Sequence, residues 1–158
     1  MFYSTTDGQY INEGTAFTIS DVQYPANWLN LSTPEEKASI GLEEVVATNS
    51  PGNDQYYWVS TQLSGATLTY INTPKDLTSV QESAISTINS TAYSILFPSD
   101  WMVVKAFEVG TPINPTWNSY RASVRSTADS TRIAIANATD VDTVASIMGS
   151  IVWPTQPQ

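Results

Sequence analysis

The spacing of apolar residues changes once along this chain. Over the first 73 residues they come in short, β-prone runs: Phe2-Tyr3, Phe17-Thr18-Ile19 and Val22-Gln23-Tyr24, interrupted by Gly8, Gly14 and Pro25. Thr33-Pro34-Glu35-Glu36 reads as a helix start, with Thr33 as the cap, Pro34 at the first helical position and Glu36 completing a capping box. That helix is short, because Gly41 arrives eight residues after the cap. A strand is expected over 42–46 and a turn over 50–54, where Pro51, Gly52 and Asn53 cluster. Residues 56–61 are aromatic and β-branched, and residues 66–71 alternate between two faces. With Ser64-Gly65 between them, the two predict a hairpin across 56–71.

Beyond Pro74 the period lengthens to that of a helix. Val80, Ala84, Ile88, Thr91 and Ile95 fall on one face, with Ile85, Ala92 and Leu96 beside them, which predicts a helix over 77–96 stopped by Pro98. Ser99 or Asp100 is placed to cap a second helix over 99–109 that carries Trp101, Val104, Lys105 and Glu108. Gly110 suits the left-handed residue that ends a helix. Pro112 and Pro115 bracket the connection that follows. Asn114 or Thr116 then starts a third helix, to residue 136, with Trp117, Tyr120, Val124 and Ala128 on one face. Asp140 caps a last helix over 141–148. The expected fold is therefore α+β: a β-rich unit over 1–73, then a bundle of about four helices over 74–158. The helical half is rich in Ser and Thr, which are mediocre helix formers, so its helices depend on packing rather than on propensity.

Composition narrows the function more by what is missing than by what is present. The 158 residues include no Cys and no His. Disulfides, thiolate metal sites, Cys nucleophiles and Ser/His/Asp triads are excluded, together with the commonest general base and zinc ligand. The net charge is −9, unevenly spread. Residues 1–73 hold eight acidic residues against one basic, and the remainder seven against five. That balance argues against a phosphate-backbone partner, which needs clustered Lys and Arg. No run approaches the ~18 apolar residues of a membrane span, and the N-terminus lacks the basic and apolar regions of a secretory signal. No enzyme, cofactor, nucleic acid or membrane is expected.

What remains are candidate contact residues. Trp101, Trp117 and Tyr120 either anchor a partner or pack a helix junction. Arg121 and Arg125 share a helix face and either hold a partner's carboxylates or pair with Glu108 or Asp129. Trp28, in the loop Tyr24-Pro25-Ala26-Asn27-Trp28, is either a docking point or a plug on the β core. Tyr56, Tyr57 and Trp58 keep a glycan-binding module open as an alternative, although strand aromatics are more often cross-strand pairs. The dense carboxylates Glu35, Glu36, Glu43 and Glu44 are adjacent in pairs, so each pair points apart and reads as solvated or capping. Asp140-Val141-Asp142 lacks the Gly and Glu of a calcium loop, so no metal site is expected.

The segment from Ser99 to Arg125, SDWMVVKAFEVGTPINPTWNSYRASVR, resembles the C-terminal part of phage tail fibre assembly proteins and related small tail accessory proteins. The matching residues are Asp100, Trp101, Glu108, Gly110, Thr111, Pro112, Trp117, Tyr120, Arg121 and Arg125. The blocks from Val22 to Gly41 and from Gln55 to Leu77, and the terminal Trp153-Pro154, fit the same pattern in the same order. The resemblance implies a non-enzymatic protein that binds a tail fibre or another virion protein and assists its assembly as a chaperone. It would be found in the virion tail or in the host cytoplasm during assembly. The partner contact would fall on Trp28, Trp117, Tyr120, Arg121 and Arg125. A permanent structural subunit of the tail, baseplate or fibre adaptor, expected as a homo-oligomer, is the alternative the same resemblance allows.

Overall fold

Strands come first and helices last in the computed structural model, which describes residues 1–157. The fold is α+β, and the chain divides into two compact units between Thr73 and Pro74. That is where the apolar period changes.

In the first unit, β1 (Phe2–Ser4) lies between β2 (Tyr10–Ile11) and β5 (Leu42–Glu44), antiparallel to both. β3 (Phe17–Ile19) and β4 (Val22–Tyr24) form a separate hairpin. Its two-residue turn puts Ser20 at φ 49° and Asp21 at φ 66°, the left-handed pair that a tight hairpin demands. A side chain costs strain there, and the Ser20 N–H donates to Asp7 Oδ2 at 3.2 Å. Two short helices follow, α1 (Trp28–Leu31) and α2 (Pro34–Ser39). The capping box of α2 is present in full: Glu36 N–H donates to Thr33 Oγ1, and Thr33 N–H to Glu36 Oε2. Phe2, Ile11, Phe17, Ile19, Leu29 and Leu42 make one buried cluster from all these pieces.

The rest of this unit is a second sheet, in which β6 (Val46–Ala47) runs parallel to β8 (Thr67–Pro74), with β7 (Tyr57–Ser64) on the other side of β8. The expected strand over 42–46 is split, its end having moved to the new sheet at Val46. The expected hairpin is present, with Gly65-Ala66 as its turn, one residue later than Ser64-Gly65. Tyr56 is buried just ahead of β7 rather than inside it. No residue of β6, β7 or β8 is buried.

The second unit contains α3 (Leu77–Leu96), a 3-10 turn (Phe97–Ser99), α4 (Asp100–Val109), α5 (Pro115–Ala136) and α6 (Val141–Gly149). α3, α5 and α6 pack against one another. α3 supplies Val80, Ala84, Ile88 and Ala92, a row of every fourth residue, where the sequence spacing had pointed to Thr91 and Ile95 at its far end. α5 answers with Tyr120, Val124, Ala128 and Ile135, and α6 with Val141 and Val144. Asp76, Asn114 and Asp140 cap α3, α5 and α6 by accepting backbone N–H groups, and Pro115 opens α5 rather than preceding it. Where α5 ends, Gln81 Nε2 donates to the carbonyls of Ile135 and Ala138, adding a side-chain donor from α3.

Candidate functional site

α4 is the exception in this unit. Seven of its ten residues are apolar, yet none is buried. A helix that is apolar all round is normally enclosed by protein or lipid, and ten residues are too few to cross a bilayer. Its first turn continues a line of exposed aromatics that begins on α3. Tyr93, Phe97, Trp101 and Phe107 are 62%, 60%, 57% and 90% exposed, and Val104 and Val109 lie exposed among them. Tyr93 and Phe97 are in ring contact at 5.5 Å. At ~150–250 Å² per aromatic side chain, covering the exposed parts of these four would remove roughly 550 Å² from water. That is most of the ~800 Å² each partner gives to a standard interface, and at the upper end of the ~300–600 Å² patches of ordinary monomers.

The side of α4 that carries Trp101 and Val109 also looks onto a groove of about 360 Å³ against the start of α5. Trp101, Lys105, Val109, Ile113 and Trp117 line it. The Lys105 ammonium sits 5.8 Å from the centre of the Trp101 ring. Trp117 lies edge-on to Tyr120 at 5.8 Å, which fixes the inner wall. Gly110 closes α4 at φ 67° and turns the chain into the rim of the groove.

Arg121 sets the direction in which α4 leaves the bundle. It is 4% exposed. Its Nη2 donates to Asp100 Oδ1 at 2.7 Å, and its Nη1 donates to the Leu96 carbonyl at 3.0 Å and to Ser99 Oγ. Ser99 Oγ in turn donates to the Leu96 carbonyl at 2.8 Å. One guanidinium on α5 thus ties the last turn of α3, the 3-10 turn and the first residue of α4 together. Ser99 is engaged in this junction and does not cap α4 through its side chain.

Several expected contact residues are consequently inside the fold. Tyr120 and Arg121 are buried in the single chain, and the carboxylate that Arg121 pairs with is Asp100, not Glu108 or Asp129. Asp129 pairs with Arg132 instead. Trp28 stacks edge-on against Phe17 and Tyr24 at 6.0 and 4.9 Å and closes the core of the first unit as a plug. Trp117 is half-buried in the groove wall, and Arg125 stays exposed on α5. Trp101, for which helix-junction packing was the more ordinary reading, is among the most open. Phe97 and Phe107 were not singled out from the sequence. The available signal was the all-round apolarity of residues 101–109, a period too short for any single face.

Among the described residues no group of three or more acidic side chains could hold a metal ion, and no helix is long and apolar enough to cross a membrane. Compared with protein families, curated proteins and solved structures, the chain matches none.

Proposed function

We propose that this chain is a non-enzymatic bacteriophage tail accessory protein that binds a tail fibre or a neighbouring tail protein through α4 and assists its assembly. The observation that carries the binding half of this reading is an apolar ten-residue helix with no buried residue, held at a fixed angle by Arg121. The tail context rests on the resemblance of the Asp100–Arg125 segment to tail assembly proteins. The mechanism is cover: an aromatic strip occupies apolar or unpaired-edge surface on a fibre end until the fibre subunits close on each other. The absence of Cys and His fits a role with no covalent chemistry.

Quantitative mass spectrometry of infected-cell lysate and of purified particles tests the role. Abundance in lysate with loss from particles is the expected result for an assembly factor. A fixed copy number per tail would instead make the chain a permanent subunit, the second reading the same surface allows. Equal binding to tail proteins by the wild type and by a Trp101→Ala/Phe107→Ser variant would overturn the assignment of α4.

A further inference from the structure

The second exposed element is β7, which is independent of α4 and lies in the other unit. It is eight residues long, forms one edge of its sheet, and is exposed from Trp58 to Ser64. Natural edge strands are protected by charge, Pro, a bulge or brevity. The sequence YWVSTQLS has no charge, no Pro and no Gly, whereas the opposite edge, β6, is two residues long. The sheet also has no core of its own, since none of its strands buries a residue. Such a sheet is marginal alone and gains by adding strands.

We infer that β7 is a self-association edge, at which two copies of this chain pair their β7 strands antiparallel about a two-fold axis through Thr61. The residue pattern selects this occupant. A two-fold antiparallel pair places residues whose numbers share parity opposite each other, because opposed side chains must lie on the same face. Centring on Thr61 sets Thr61 against Thr61, Val59 against Leu63 twice, and Ser60 against Gln62 twice. Val59 and Leu63 are 37% and 38% exposed in the single chain, so the pairing joins these apolar side chains on one face, while the other face sets Ser60 against Gln62 and Trp58 against Ser64. The result is a continuous six-stranded sheet. The uncharged edge keeps like charges out of the seam itself, although the unit carries a net charge of −7. That same charge opposes the dimer at long range, so added salt strengthens it.

The test is sedimentation velocity on the full chain, as wild type, Thr61→Lys, Thr61→Glu, and an equimolar mixture of the two variants, with circular dichroism to verify folding. Thr61 is exposed, so both variants fold. A wild-type dimer is expected that tightens with salt, with dissociation constants several-fold weaker for each variant alone and restored in the mixture, where Lys faces Glu. A wild type that stays monomeric at millimolar concentration overturns the inference. So does a dimer that both charged variants leave intact; loss of that dimer in Phe107→Ser would assign it to α4.

Discussion

α4 and α5 are consecutive helices that follow opposite rules. α4 is mostly apolar and buries nothing; α5 is mostly polar, with Ser and Thr throughout, and buries five side chains. Burial therefore follows the placement of apolar residues rather than their number. Tyr120, Val124, Ala128 and Ile135 form a narrow stripe that α3 and α6 cover. On α4, Trp101, Val103, Val104, Phe107 and Val109 point in several directions, and Arg121 anchors only its first residue. The contrast divides the unit into a part that holds itself together and a part that stays open.

Substitutions on the closed side should have the largest effects. Ile135 is fully buried, and Ile135→Ala is expected to cost about 3 kcal/mol, read from the urea midpoint. A cost below about 1 kcal/mol would mean that α5 is not packed as described.

Arg121→Met comes next. It keeps the apolar stem but removes the donor to the Ser99 hydroxyl, one of the two donors to the Leu96 carbonyl, and the ion pair of Asp100. Because Asp100 is half exposed, the expected cost is nearer 2 kcal/mol than the full penalty of a stranded buried charge. The distinguishing readout is local: amide exchange across 100–109 should accelerate more than across α5. Uniform acceleration would show that Arg121 stabilises the bundle without aiming α4.

The helix caps contribute a smaller, pH-dependent share. The Asp140 carboxyl lies below the usual carboxylate range because it accepts the Thr143 backbone N–H, and Asp76 does so through Ser79. A depressed folded pKa stabilises above the unfolded value, near ~4, and that contribution is lost as pH falls through the folded value. Asp140→Ala should thus be less stable than wild type at neutral pH, with the gap closing in acid below ~4. A gap that stays constant down to pH ~2 would show that the carboxylate form is not what caps α6.

The division at Thr73, the capping box at Thr33, the α3 boundaries and the caps at Asn114 and Asp140 were legible because each is written in neighbouring residues. What was not legible depends on contacts distant in sequence. Arg121 finds Leu96 and Asp100 across more than twenty residues, and no local pattern distinguishes this from pairing with Glu108 or Asp129. Trp101 and Trp117 look equivalent along the chain, each opening a helix, yet the first is exposed and the second half-buried. The left-handed pair at Ser20 and Asp21 carried no Gly to announce it.

Phe107→Ser should produce the smallest stability change, and for that reason it tests the contrast most sharply. Phe and Ser have similar helix propensities, so the exchange isolates the environment of the side chain. At 90% exposure the ring gives up almost no buried area in the single chain, and the urea midpoint should move by less than about 0.5 kcal/mol. If the ring were covered in solution, losing it would cost about 1.5–3 kcal/mol, the burial energy of a large apolar side chain. A near-zero change together with loss of partner capture would place the function of α4 in what it presents rather than in what it holds. A large change would mean that α4 is already covered in the free protein, and the opposition between α4 and α5 would disappear.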